Sequence, residues 1–289
     1  MINGYTELVG LMAYPIRHSH SPAMQNEAFR RAGINCIQLA FEVDNTQLRD
    51  AVQAIKTLKL LGSNVSMPNK TVVGQYLDQL SPEAQLIGSV NTIVNDHGAL
   101  TGYCTDGIGY MASLRDEDID IRNKKITVVG AGGAATAIQI QAALDGVAEI
   151  SIFNVKDKFY EAGEETVKKI KEHTACKATL YDLADRDALR REIAESYLLA
   201  NATGLGMKPH EGITWLPDTT YLRPDLIVTD TVYAPPMTKF LEMARETGCR
   251  YMNGHGMMLF QGAAAFRLWT GKEMDIEHMK QWLKEVGII

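Results

Sequence analysis

Two stretches put proton-handling side chains where buried elements should end. In "SNVSMPNK" an apolar run gives way to a proline and then Lys70; in "GYCTDGIG" Asp106 stands where two halves of the chain would join. A lysine drawn into a dry cleft is pushed toward losing its proton by desolvation, and an aspartate beside it opposes that loss. Such a pair can hold an alcohol and exchange its proton near neutral pH. A single lysine at a helix start would more often lie exposed, and on these residues alone that reading prevails over a proton-transfer reaction.

A third stretch points to that reaction. "ITVVGAGGAATAI" carries Gly130, Gly132 and Ala135 in a G-x-G-x-x-A arrangement, directly after an apolar strand and leading into a helix. Gly130 permits a tight turn, Gly132 lets a pyrophosphate approach the backbone, and Ala135 lets the helix pack close to the strand. Ala131, Gly133 and Ala134 complete the turn at the positive end of that helix. In this strand-turn-helix context the pattern predicts dinucleotide binding. The next strand, "EISIFNV", leads through Asn154 to Lys156 and Asp157. A carboxylate there suits the free ribose hydroxyls of NAD, whereas an arginine would suit the extra phosphate of NADP. Asp157 therefore predicts a preference for NAD; Lys156, which reads equally well as half of a solvated charge pair, leaves NADP open. A nicotinamide carries the hydride itself, so the protein has to supply only a polar pocket and a group that moves the accompanying proton.

The elements that must hold these residues alternate along the chain. "LVGLMAYPI" reads as a strand and "SPAMQNEAFRRAG" as a helix, with Ser21 as N-cap, Pro22 in the first turn and Gly33 as the stop. "CIQLAFEV" is a strand, "TQLRDAVQAIKTLKL" an amphipathic helix, "SNVSM" a short strand, and "PNKTVVGQYLDQL" a further helix. "NTIVNDHGALTGYCT" reads as a hairpin turning at "NDHG" and marks the edge of the first domain. "DGIGYMASLRDED" is a connecting helix. A second alternation runs from "KKITVV" to "RYMNGHG", and two helices without a further strand close the chain. This pattern predicts an α/β protein of two domains. Residues 1–109 form an α/β substrate domain with a mostly parallel sheet, and 110–255 a Rossmann-type NAD(P)-binding domain. The C-terminal helices, 256–289, return to complete the first.

Bulk properties exclude several classes. At 289 residues two domains are expected. A net charge of -6 with no basic run argues against nucleic acid, and no apolar stretch approaches the ~20 residues of a membrane span. "MINGYTELVG" lacks the features of a secretion signal. Cys36, Cys104, Cys176 and Cys249 are scattered without metal-type spacing, as expected of reduced thiols in the cytoplasm. No metal site is expected.

Eight motifs, "RHSHSP", "NVSMPNK", "VNTIVND", "GYCTDGIG", "VVGAGGAATA", "NATGLGM", "DTVYAPPMTKFL" and "GHGMMLFQGAAAF", occur in the order seen in the shikimate dehydrogenase family. The chain resembles that family over nearly its whole length, and "GLMAYPIRHSHSP", "AFEVDN" and "VSMPNK" look most like its quinate/shikimate dehydrogenase branch. The resemblance implies reversible, nicotinamide-dependent oxidation of a ring hydroxyl of shikimate, quinate or both. It implies catalytic roles for Lys70 and Asp106, and a carboxylate grip by the hydroxyls of Ser19 and Ser21, the latter free to cap a helix as well. It also implies substrate contacts from Ser66, Asn91, Tyr233 and Gln261, and a cofactor site lined by Thr203, Met207, Thr231, Gly254 and Gly256. The assembly implied is a monomer or a homodimer, and closure of a cleft between the domains is expected.

The sequence departs from the family pattern twice. Cys104 stands where asparagine is common, which bears on substrate fit, and Val155 replaces an arginine that could hold a 2′-phosphate, which again predicts NAD over NADP. Two rival readings remain: a related dehydrogenase acting on an aminoshikimate- or folate-type substrate, and a non-catalytic dinucleotide sensor. Intact "HSHSP" and "NVSMPNK" argue against the first, and an intact lysine-aspartate pair against the second.

Overall fold

The computed structural model describes residues 2–289 and divides into two units, one of residues up to Gly109 together with Leu259–Ile289, the other Tyr110–Met258. The first unit begins with β1 (Glu7–Ala13), α1 (Ser21–Arg31), β2 (Cys36–Glu42), α2 (Leu48–Thr57) and β3 (Gly62–Val65). Then come β4 (Gln79–Leu80), α3 (Pro82–Ile87), β5 (Thr92–Asp96) and β6 (Ala99–Tyr103), with α4 (Asp106–Asp116) starting in this unit and continuing into the second. The sheet order is β2-β1-β3-β5-β6-β4, and only β5 runs against the rest.

Local chemistry accounts for most of these elements. In α2, Leu48, Val52 and Ile55 recur at helical spacing and are all buried. At the β5–β6 turn, His97 and Gly98 both take positive φ, 49° and 100°, the backbone a tight hairpin needs. That hairpin does not end the sheet, because β4 pairs outside it with β6.

Two expectations fail for physical reasons. No α-helix forms over residues 68–80: there is one 3₁₀ turn, Val73–Tyr76, followed by β4. The β-branched run Thr71-Val72-Val73 and Gly74 are weak helix formers, and Asn69 Nδ2 ties the segment to the Val43 carbonyl at 2.8 Å. Ser21 does not cap α1. It is the first helical residue, and its own N–H donates to Ser19 Oγ at 3.2 Å, so the cap-like bond comes from Ser19.

The second unit carries β7 (Lys125–Val129), α5 (Gly133–Leu144), β8 (Glu149–Asn154), α6 (Tyr160–His173), β9 (Lys177–Asp182) and α7 (Arg186–Glu195). It continues with β10 (Leu198–Asn201), β11 (Ile227–Asp230), α8 (Lys239–Thr247) and β12 (Arg250–Met252). All pairings are parallel in the order β12-β11-β10-β7-β8-β9, the doubly wound Rossmann arrangement with its switch point between β7 and β10. Strands such as "KITVV" and "EISIFN" are nearly continuous apolar runs because helices cover both faces.

Two helices end the chain, α9 (His255–Thr270) and α10 (Ile276–Glu285). From Leu259 onward they belong to the first unit. Leu259, Phe266, Met279 and Leu283 share its core with Met24 and Phe29 of α1, and Trp269 Nε1 donates to the Ile93 carbonyl at 2.9 Å. The returning C-terminal helices are thus part of that unit's core. The four cysteines are free and buried. Among the described residues no helix is long and apolar enough to cross a membrane.

Candidate active site

Three side chains of the first unit meet at one edge of its sheet. Lys70 follows β3, Asp106 follows β6, and Asn91 precedes β5, the strand that runs the other way, so all three leave the same edge. The Val90 N–H donates to the Lys70 carbonyl at 2.9 Å and fastens the lysine's loop beside Asn91. Lys70 Nζ then donates to Asp106 Oδ2 at 2.6 Å, and Asn91 Nδ2 to Asp106 Oδ1 at 2.9 Å. Both carboxylate oxygens are occupied, and the side chains of Lys70 and Asp106 are only 20% and 9% exposed.

Burial alone would drain the proton from Lys70. The charge of Asp106 and its short hydrogen bond more than offset that, and the ammonium titrates above its ordinary range. Both opposing influences expected from sequence are present and that of the aspartate prevails, so at neutral pH the free protein presents a cation. Beside the pair, the Cys104 thiol is 2% exposed and pushed up to about 12 by burial, then by Asp106, so it does not ionise near neutrality.

The remaining candidate substrate residues occupy definite places. Ser66 leaves β3 at the same edge, its N–H bonded to the Met12 carbonyl at 3.0 Å and its carbonyl accepting from Asn69 N at 2.9 Å. Ser19 and Ser21 are neighbours at the start of α1, and Gln261 lies on α9 within the first unit. Tyr233 lies in the second unit, its ring centroid 5.9 Å from that of His255, and burial raises its phenol's pKa. Sequence reasoning missed Thr105, whose N–H and hydroxyl donate to Asn91 Oδ1 at 2.9 and 3.1 Å, although it stands inside the "CTDG" motif.

In the second unit the glycine-rich turn fits a dinucleotide. Gly130 has φ +123°, and a Cβ there would stand 2.7 Å from the Ala202 carbonyl oxygen, because the turn crosses the adjoining strand at the switch point. Beyond it, Gly132 and Gly133 face open space at the N-terminus of α5, room that a pyrophosphate can fill. Ala131 and Ala135 are buried, and Ala134 lies in the first turn of α5.

Around the switch point Thr203 Oγ1 donates to Asn201 Oδ1 at 2.7 Å, Thr231 N to the Asn201 carbonyl at 3.0 Å, and Asn201 Nδ2 to Asp230 Oδ1 at 2.9 Å. Asn201 and Asp230, which order these loops, were not singled out from sequence; desolvation pushes the Asp230 carboxyl up to about 6. Gly254 sits against the Thr231 backbone and Gly256 against Ser113, while Met207 is exposed.

At the end of β8, Asp157 is exposed and one of its carboxylate oxygens helps build the turn. Its Oδ1 accepts from Asn154 Nδ2 at 3.0 Å and Phe159 N at 2.9 Å, bonds that build the turn. Lys156 is exposed and 3.6 Å from Asp182.

The family descriptions "Shikimate dehydrogenase substrate binding domain" and "Shikimate 5'-dehydrogenase C-terminal domain" match residues 11–93 and 254–284. A protein from Listeria monocytogenes serotype 4b named shikimate dehydrogenase (NADP(+)) is 58% identical over 282 residues, 98% of this chain and 97% of its own. A crystal structure of shikimate 5-dehydrogenase from Listeria monocytogenes in complex with shikimate and NAD superposes with a TM-score of 0.95 at 58% identity, covering 98% of each chain. Quinate dehydrogenase from Corynebacterium glutamicum in complex with NAD gives 0.87 at 27% identity, covering 97% of this chain and 99% of that one.

The crowding at Gly130 yields a direct check. Gly130→Ala must relieve both a positive φ and an overlap with Ala202, and is expected to weaken dinucleotide binding about tenfold or more in a fluorescence titration.

Proposed function

The chain belongs to the shikimate dehydrogenase family, NAD(P)-dependent oxidoreductases acting on a CH–OH group, and from that premise we propose that it interconverts shikimate and 3-dehydroshikimate through the Lys70–Asp106 pair. The observation that carries this reading is the 2.6 Å bond between Lys70 and Asp106, closed from the other side by Asn91. In the reductive direction the Lys70 ammonium donates its proton to the forming alkoxide while Asp106 holds the ammonium in place. In the oxidative direction the unprotonated amine takes the hydroxyl proton. The nicotinamide, when bound, accepts or supplies the hydride.

Ser19, Ser21, Ser66 and Gln261 complete the substrate's polar contacts in this proposal, with two serine hydroxyls at the α1 start suited to a carboxylate. Tyr233, Thr203, Met207, Thr231, Gly254 and Gly256 serve the nicotinamide side. Residues 1–109 with the C-terminal helices take the substrate and the intervening residues the dinucleotide. A reducing, cytoplasmic setting suits the four free cysteines.

A second substrate, quinate, is supported by the likeness of "GLMAYPIRHSHSP" and "VSMPNK" to the quinate/shikimate branch and by the fold shared with the Corynebacterium glutamicum quinate dehydrogenase. It differs from shikimate by one ring hydroxyl and a double bond and would use the same proton pair.

For the cofactor, the preference for NAD read from Val155 and Asp157 loses its footing. One of the two Asp157 oxygens is engaged in the turn, and the 58% identical relative is named for NADP(+). NADP is the better-supported cofactor, with Lys156 the cation nearest the strand end to meet the 2′-phosphate. An exposed pair such as Lys156–Asp182 is weak enough to exchange partners. NAD, present in the Listeria monocytogenes complex, is accepted as well.

Steady-state kinetics of the four pairs of shikimate or quinate with NADP or NAD test these assignments. Turnover of neither acid would overturn the function. Lys156→Ala is expected to raise the KM for NADP roughly tenfold and that for NAD less than about twofold; equal changes would remove Lys156 from phosphate binding.

The sign of the Lys70 shift fixes the pH dependence. Below its raised pKa the group is an acid, so ketone reduction runs at full rate through neutrality and falls as pH climbs past that value. Oxidation needs the free amine and climbs over the same alkaline range. Oxidation fastest near pH ~6 would contradict this.

A further inference from the structure

Behind the pair lies a row of buried amides and a hydroxyl of which the chemistry so far uses only Asn91. Gln38 in β2, Asn64 in β3, Thr92 in β5 and Asn91 just before it are 0%, 7%, 0% and 2% exposed. Gln38 Nε2 donates to Asn64 Oδ1 at 2.9 Å, Asn64 Nδ2 to Thr92 Oγ1 at 3.2 Å, Thr92 Oγ1 to Asn91 Oδ1 at 3.0 Å, and Asn91 Nδ2 to Asp106 Oδ1 at 2.9 Å. Every donor points the same way, toward the carboxylate that grips Lys70.

Register explains how the row crosses the sheet. Gln38 pairs with Val9 and Asn64 with Leu11, two positions apart on β1, so both side chains stand on one face with β1 between them. Asn64 and Thr92 are direct cross-strand partners. The row thus spans β2, β1, β3 and β5 and ends at the sheet edge where Lys70 and Asp106 meet.

Such a row is costly. Each amide gives up water, and the Gln38 Oε1 at its far end has no hydrogen-bond partner among the described residues. Apolar residues at 38 and 64 would remove that cost. Aligned donors strengthen one another in a low-dielectric interior, and a catalytic group has to be held to within about half an ångström. We propose that Gln38, Asn64 and Thr92 are positioning residues, a hydrogen-bond relay across the sheet that fixes Asn91 and, through it, the Asp106 carboxylate in the orientation that grips Lys70. This rests on the Lys70–Asp106 assignment made under Proposed function. Thr105 bonds Asn91 independently, so breaking the relay loosens the carboxylate without releasing it.

Thr92→Val removes the central hydroxyl with little change of shape, and Thr92→Ser restores it. Gln38→Met removes the first donor at a distance from the pair. The readouts are kcat and KM for 3-dehydroshikimate reduction near neutral pH and the titration of Lys70 followed by NMR of lysine-labelled protein. Thr92→Val is expected to lower kcat about tenfold with KM within about twofold, and to move the Lys70 midpoint down by about half a unit. Thr92→Ser should stay within about twofold of the parent, and Gln38→Met should lose about threefold in kcat.

The relay is overturned if Thr92→Val keeps the parent kcat and titration, even with a lowered Tm, or if Thr92→Ser is as slow as Thr92→Val. Should Thr92→Val not fold, Gln38→Met decides by the same measurements. A parent protein that turns over neither shikimate nor quinate would end the proposed function alone, because the Lys70 titration tests the relay without substrate.

Discussion

An ammonium and a carboxylate held 2.6 Å apart, mostly out of water, set the terms for everything else in the first unit. Desolvation penalises both charges, and their attraction offsets it only where geometry is good and the remaining lone pairs are met. The structure supplies both conditions. Three chain segments deliver Lys70, Asn91 and Asp106 to one sheet edge, and Asn91 occupies the carboxylate oxygen that Lys70 leaves open. Because the attraction prevails over burial, the lysine keeps its proton at neutrality, the state that the proposed reduction requires.

That constraint gives meaning to features that look dispensable one by one. The single antiparallel strand β5 brings Asn91 to the edge where β3 and β6 end. The helices from Leu259 onward cover the same unit, with Trp269 bonded to the backbone of β5. The polar row from Gln38 to Asn91 would be a liability in a purely structural sheet, yet it runs without a break to Asp106. The second unit answers a different demand: at its switch point, the Gly130 turn and the Asn201–Asp230 bond shape the backbone for a phosphate and for loops that carry Thr203 and Thr231.

What sequence revealed follows from how local each signal is. The glycine-rich turn and the "NDHG" hairpin depend on adjacent residues and were legible. Lys70 and Asp106 stood out through ordered motifs spanning the chain, not through composition or period. The helix expected over 68–80 failed because apolar spacing was read without weighing its β-branched run and the Asn69 tether. Ser21 was taken as a cap because the rival hydroxyl of Ser19 acts from two residues away. That one oxygen of Asp157 also builds a turn with Asn154 and Phe159 was not legible either. Neither the charge balance at Lys70 nor the Gln38–Asn64–Thr92 row could be read, since each joins strands distant in sequence.

Whether Lys70 and Asp106 act as one unit is the central claim, and a double-mutant cycle on turnover addresses it most directly. Lys70→Met, Asp106→Asn and the double variant should be almost equally slow, because either change alone dismantles the shared device. Losses that multiply in the double variant would show two residues working independently and would contradict the account.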